Sequence, residues 1–465
     1  MTDVGIKEKR LGHDSYTVGW VCVLLCELNA SRAMLDEEHE QLDPVENDNN
    51  SYILGQIQKH NVVIAFPGSA SGGAAQTVTN LIRTYRNIRF GLMVGVGGGA
   101  PNPLYAEDPD RDIRLGDVVI SDPKGKHGGV LLYDAGNWDS VTDGFEIESH
   151  LNKPPNILLK AVQLLRSNHD FGGVGMRQSI QSVAEKSTKF RALKSYRFPG
   201  RNQDRLFKPD HRHVGKAGGD CSACDVNLIE KRLERDSDDP IVHYGLIASG
   251  NAVMRFTQLR DKLRNAWNVS CFERAAAGIM DDFPCLVIRG ISDYADDHQN
   301  EIWQPYAAVA AAAYAKDLLR VIQPREVETL RPANEVVGSS EGRVGHIPIS
   351  QVTRARERDK YAFRLELENL VVKLLSLPHR HGWWYNEEFR NLVERFSKKW
   401  DLDIGWQEAS KRHNVDRLVD SDDSLTLLKS SCVSLWNHQS QDDMLRLEWM
   451  ETLVSMLEFV RSIGE

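Results

Sequence analysis

Short apolar runs of strand length alternate with amphipathic stretches of helix length from the start of the chain to about residue 322. Segments 16–25, 61–66, 90–96, 117–121, 242–248 and 285–288 have strand length and composition. Helical periodicity occupies 27–38, 74–85, 156–167, 251–265 and 304–322 between several of them. This alternation predicts an α/β fold with a mainly parallel sheet. The stretch 187–239 carries Gly, Pro and charge with little apolar periodicity and reads as a polar insertion. Residues 324–349 mix Pro, Gly, Ser and Glu without pattern, as a linker does. Apolar stripes at 363–377, 388–400, 424–436 and 444–463 predict an all-α domain over 350–465. The expected organisation is therefore one large domain over 1–323, a linker over 324–349, and a helical domain suited to assembly or partner docking. Most of the large apolar residues of that last domain are needed for its own core.

Composition narrows the function classes. A chain of 465 residues exceeds what one core usually supports. Its formal charge of -9 argues against a nucleic-acid platform while leaving room for local basic pockets. No apolar run reaches the length of a membrane span, and the first ten residues are too charged for a signal peptide, so a cytoplasmic chain without membrane association is expected. The seven cysteines are scattered among apolar strands and read as reduced thiols rather than a disulfide framework.

Candidate chemistry concentrates where strands end. Segment 271–296 reads as a small-residue helix, a Pro turn, a buried strand, and then Ser292 and Asp293 at the strand's carboxyl end. Ligands of open α/β sheets bind beyond such ends, which makes Asp293 a candidate proton donor; the alternative is an Asp that caps the helix beginning near Trp303. Segment 92–101 is an apolar strand running into glycines that include Gly95 and Gly97, where backbone can approach a ligand closely. It lacks the spacing of a dinucleotide fingerprint or a Walker loop. Segment 242–254 repeats the arrangement: a strand ends at Ser249, Gly250 and Asn251, with a helix expected to start there and offer free amides. Glu27 opens the helix after the first strand. Each feature alone is ordinary turn or first-turn chemistry, but all of them converge on one sheet edge. The expected pocket has Asp293 and Glu27 on opposite sides and is lined by Ser249, Asn251, Val253, Phe272 and Glu273. Within the insertion, His211, His213, Cys221 and Cys224 form His-x-His and Cys-x-x-Cys pairs. These donors suit a structural zinc, although the spacing between the pairs is short and a loop carrying them without metal is the alternative.

Segments 16–38, 90–101, 112–121, 245–254 and 271–296, in that order, together resemble the purine and uridine phosphorylase superfamily. They are most similar to its fungal branch, often fused to signalling and immune-receptor modules. The resemblance implies a twisted mixed sheet wrapped by helices, cleavage of a nucleoside N-glycosidic bond without a catalytic cofactor, and frequent homo-oligomerisation. It implies that Asp293 protonates the purine N7 and that Glu27 directs the attacking water. Met93 and Val94 stand where phosphorylases of the family carry a phosphate-binding Arg, which favours water as the nucleophile. Relatives that remove adenine from adenosine, AMP or ATP would need a cation near the ribose 5′ end, for which Arg274 is a candidate or else a surface charge. One departure stands out: the family's Glu-Met-Glu-Ala-Ala-Gly reads Glu273-Arg274-Ala275-Ala276-Ala277-Gly278 here, so Ala275 replaces the carboxylate that holds the ribose hydroxyls. Lost activity, a different grip on ribose, or a deliberate substitution would each account for it. A purine nucleosidase, a nucleoside-sensing interaction module and a phosphorylase are the readings that follow.

Overall fold

Burial is nearly continuous along the central strands, so both faces of the sheet are covered. The computed structural model describes residues 9–67, 73–125, 127–133, 137–139, 144–146, 151–173, 175–189, 191–216, 218–250, 253–276, 278–280 and 283–338. Its strands are β1 (Val18–Val21), β2 (Glu37–Glu38), β3 (Ser51–Ile57), β4 (His60–Phe66), β5 (Phe90–Gly99), β6 (Val118–Ser121), β7 (Val130–Leu132), β8 (Asn137–Asp139), β9 (Gly144–Glu146), β10 (Val242–Ser249), β11 (Val269–Glu273) and β12 (Cys285–Asp293). The helices are α1 (Leu25–Ala33), α2 (Ala74–Thr84), α3 (Asn156–Asp170), α4 (Gly175–Lys189), α5 (Thr257–Trp267), α6 (Gln304–Val321), α7 (Pro324–Glu328) and α8 (Ala333–Gly338). None of the described helices is long and apolar enough to cross a membrane.

The sheet is mixed and mainly parallel, and part of it closes on itself. β11 runs parallel to β10 and β10 to β6; β6 is antiparallel to β12, β12 parallel to β5, and β5 antiparallel to β11. Five strands therefore form a ring, and β1, β4, β3 and β2 continue outward from β5 as a wing. Trp20, Ile64, Leu92, Val94, Leu286 and Ile288 pack beneath the alanine row of α6 and against α1, α3 and α4. A Cβ at Gly290 would overlap the Ala307 carbonyl, so α6 rests directly on β12. On the opposite face Val63, Met93 and Val287 meet Val78 and Leu81 of α2, and the Phe283 ring occupies the space that Gly91 leaves open.

Each strand and helix expected up to residue 322 by apolar pattern overlaps an element of the same kind, with several corrections. The expected helix at 27–38 stops at Ala33, because Glu37 and Glu38 pair with β3 instead. The hairpin strand β3, broken up by Ser51, Gly55 and Gln56, and the polar helix α4 were not anticipated. Residues 271–273, expected to be helical, lie in β11, where β10 and β5 take up the backbone hydrogen bonds and override local propensity. The helix expected from residue 251 begins at Thr257, so Ser249 and Gly250 do not sit at a helix N-terminus. The linker expected from 324 starts as helix, with Val327 and Ala333 buried; its remainder and the helical domain expected over 350–465 lie outside the described residues.

The insertion is anchored by buried charge. Asp117 accepts hydrogen bonds from Arg235 Nη1 at 2.7 Å and Nη2 at 2.8 Å, from His243 at 3.0 Å and from the Arg114 and Ile241 amides. Arg232 pairs with Asp204 and Asp112. Phe207, Cys221, Cys224 and Ile229 give the insertion a small apolar cluster that its composition did not suggest. Burial alone would raise the Asp117 carboxyl, but the hydrogen bonds and charges of Arg235 and His243 hold it well below the carboxylate range. A depressed native value means stability that is present above the unfolded-state value and lost as pH falls. Asp117→Asn should therefore lower the unfolding free energy by about 3–5 kcal/mol at neutral pH and flatten the loss of stability below about pH 4, measured by urea unfolding across a pH series.

Candidate active site

Strand β5 runs out of side chains where its neighbours bring charge. A Cβ at Gly95 would overlap both the Arg289 guanidinium and the Glu27 carboxylate, and one at Gly97 would lie 2.6 Å from Cys271 Sγ. Glycine at these positions is therefore required by close approach. At Gly98 an added Cβ would stand 2.7 Å from Asp293 Oδ1. Glu27 and Asp293 thus abut the same strand three positions apart, roughly 10 Å of extended chain.

Glu27 sits in the first turn of α1, and its carboxylate is fixed by backbone amides: Val23 at 2.8 Å and Leu24 at 2.9 Å on one oxygen, Val96 at 2.8 Å on the other. It is 4% exposed. Arg289, a residue that sequence reasoning missed, projects from β12 and donates to Glu273 through Nη2, while its buried Nε has no hydrogen-bond partner. Glu273 also accepts from the Ala275 and Ala276 amides, each at 3.0 Å. A lone arginine within the apolar run of β12 was the available sequence signal, since a buried charge needs a partner.

Asp293 stands at a register shift between β12 and β5, the kind of bulge that re-aims a side chain at a strand end. Its Oδ1 accepts from the Ala295 amide at 2.9 Å and from Gln299 Nε2 at 3.0 Å, and its Oδ2 from Ser292 Oγ at 2.9 Å. Burial nevertheless raises its proton affinity above that of an ordinary Asp, against those hydrogen bonds and the charge of Arg255. Asp296, on the same loop, is likewise pushed up by burial, to about 6. Asp293 and Ser292 line a narrow cleft whose other wall comes largely from the insertion, through Gln203, Arg205 and Asp220. Glu27 is not among the residues lining that cleft.

The remaining expected residues are spread around this centre. Ser249 ends β10 and is buried, and Gly250 is crowded by the Tyr133 ring, which in turn packs edge-on against buried Phe272. Val253 is 39% exposed and Asn251 lies outside the described residues. Arg274 directly follows β11 and is exposed, and Ala275 comes next. Gln299, also missed, links Asp293 to the Met254 carbonyl at 2.7 Å and so ties the acid to the segment after β10. In the insertion, the donor atoms of His213, Cys221 and Cys224 lie together, whereas His211 joins Cys224 together with His298, a residue the sequence did not single out. Removing Arg289 would leave Glu273 buried and uncompensated. Arg289→Ala should cost about 3–5 kcal/mol of stability in urea unfolding, and Arg289→Met with Glu273→Gln should recover much of that loss.

No protein-family model matches the chain. Over 331 residues it is 39% identical to a nucleotide-binding leucine-rich repeat (NLR)-like protein of Hyaloscypha variabilis, a match that covers 71% of this chain and 32% of that protein. Over 86 residues it is 34% identical to the ATP nucleosidase Cap17 of Escherichia coli, covering 17% of each. The chain thus spans about a third of the first relative's length and less of the second. Among solved structures, it is similar to futalosine hydrolase of Helicobacter pylori, at 16% identity with a TM-score of 0.38, covering 66% of this chain and 99% of that one. It is similar also to 5′-methylthioadenosine/S-adenosylhomocysteine nucleosidase of Neisseria meningitidis, at 17% identity with a TM-score of 0.39, covering 65% and 98%.

Proposed function

We propose that the domain hydrolyses the N-glycosidic bond of a purine nucleoside or nucleotide of the adenosine, AMP or ATP type, releasing adenine and the ribosyl product. The observation that carries this reading is Asp293: a carboxyl with raised proton affinity at a bulged strand end, packed against glycine backbone and lining a cleft. Protonated Asp293 would donate to the purine N7 as the bond between the sugar and N9 breaks. Glu27 would accept a proton from the water that attacks the anomeric carbon. Arg289, whose Nη1 lies against Gly95, would offer that water a donor. Buried Met93 and Val94 provide no phosphate fork, and the Arg289 guanidinium beside Gly95 is engaged by Glu273, which favours water over phosphate. The short match to an ATP nucleosidase agrees with this reaction class, and the match to about a third of an NLR-like protein agrees with a domain that also occurs within a longer chain.

A second reading, a nucleoside-sensing module with little turnover, is favoured by one feature. Ala275 offers no acceptor to the ribose hydroxyls, and neighbouring Glu273 is already occupied by Arg289 and two amides.

Incubation with adenosine, AMP and ATP, with and without phosphate, separates the readings. Phosphate-independent release of adenine and free sugar is expected; a sugar 1-phosphate formed only with phosphate would indicate a phosphorylase, and binding without release a sensor. Asp293→Asn should slow base release about 100-fold or more while retaining ligand binding. Because the raised proton affinity belongs to Asp293, with Asp296 and Arg255 as its charged neighbours, the rate should fall as pH rises through its titration, measured as kcat against pH. Ala275→Glu should raise turnover roughly 30-fold or more, the equivalent of restoring a desolvated charged acceptor. No gain in a folded variant would favour the sensor.

A further inference from the structure

We propose that Cys221, Cys224, His213 and His298 bind one zinc ion, which fastens the 187–239 insertion to the loop that follows Asp293. Such a site would depend on the insertion's own geometry and not on glycosidic cleavage. The Cys221 and Cys224 sulfurs each lie 3.6 Å from His213 Nδ1. Zinc bonds of about 2.3 Å to sulfur and about 2.0 Å to nitrogen place tetrahedral ligands at roughly this separation. The surroundings prepare the donors. His213 Nε2 lies 3.1 Å from the Lys216 carbonyl, an acceptor only, so Nε2 carries the proton and Nδ1 presents its lone pair to the sulfurs. The Val214 amide donates to Cys224 Sγ at 3.4 Å, as suits a thiolate.

The fourth ligand comes from outside the insertion. His298 and His211 both bring a ring nitrogen within 4.8 Å of Cys224 Sγ, and the Nε2 atoms of both are buried without a hydrogen-bond partner. His298 is the better ligand, because Asp297 holds its Nδ1 at 3.1 Å and leaves Nε2 as a donor to metal, the carboxylate–histidine arrangement common at zinc sites. Its ring is fixed by stacking on Phe207, with centroids 4.1 Å apart. The His211 ring stacks on that of His298, with centroids 5.4 Å apart. Ligation by His298 would tie the wall of the cleft that carries Asp220 and Cys221 to the segment between Asp293 and α6.

The test uses the full chain, purified under reducing conditions and dialysed against zinc and then against metal-free buffer. Elemental analysis should find one zinc per chain, and replacement by cobalt(II) should give thiolate-to-cobalt charge transfer with the intense visible bands of a tetrahedral site. Cys221→Ser with Cys224→Ser should abolish both. His298→Ala should reduce zinc retention at least about tenfold, whereas His211→Ala should retain it. On chelation, hydrogen exchange should increase in the loop 294–303 as well as in 211–224. Absence of stoichiometric zinc in the unaltered chain, or a Cys221–Cys224 disulfide in the reduced preparation, would overturn the site. Zinc retained by His298→Ala but lost by His211→Ala, or exchange altered in the insertion alone, would overturn the link to the Asp293 loop.

Discussion

A guanidinium enclosed by strands must be neutralised where it lies, and the ion pair of Arg289 with Glu273 meets that demand between β12 and β11. Both side chains are almost fully buried, and the pair is accommodated because β5, which hydrogen-bonds to both strands, has glycine at positions 95 and 97. A side chain at 95 would expel either Arg289 or Glu27, and one at 97 would overlap Cys271 and the Phe272 carbonyl. The closed five-strand ring, the bare stretch of β5 and the fixed carboxylate of Glu27 therefore form one constraint: backbone stripped of side chains, edged by charges that cannot relax away. Such a place is pre-organised for a polar ligand, because its dipoles are held by the fold before any ligand arrives.

The insertion completes the same region from the other side. Asp204 bonds the Tyr294 hydroxyl, Arg232 lies over the Tyr294 ring at 5.2 Å, and Gln203 and Arg205 face Asp293 across the cleft. The residue after the candidate acid is thereby gripped by a segment whose sequence looks like a loop. Buried ion pairs hold that segment together with apolar contacts of Tyr196, Phe198 and Leu206, and the ion pairs add the directionality that sets the loop's position.

Much of the sheet was legible because its strands are short, continuous apolar runs bounded by turns, and Asp293, Glu27, Gly95 and Gly97 stood out as polar or glycine residues at the ends of such runs. What escaped has physical causes. β11 was hidden because the alanines after Glu273 favour helix, while its strand state depends on partners distant in sequence, β10 and β5. Arg289 was overlooked within an apolar strand, although its burial demands the carboxylate that Glu273 supplies. His298 gave no signal, since its association with Cys224 arises only when the insertion folds back on the loop after β12. Gln299 is similar: an ordinary polar residue in sequence, it matters because its amide spans Asp293 and the Met254 carbonyl.

The central claim is that a purine nucleoside lies along the bare stretch of β5 with its base toward Asp293 and its sugar toward Glu27. A crystal structure with an adenosine C-nucleoside, whose carbon–carbon glycosidic bond resists hydrolysis, tests it most directly. The account predicts the base's five-membered ring within hydrogen-bonding distance of Asp293, the anomeric carbon over Gly95–Gly98, and a water between that carbon and Glu27. A ligand seated away from β5, or one whose base turns from Asp293 with Glu27 out of reach of the sugar, would contradict it.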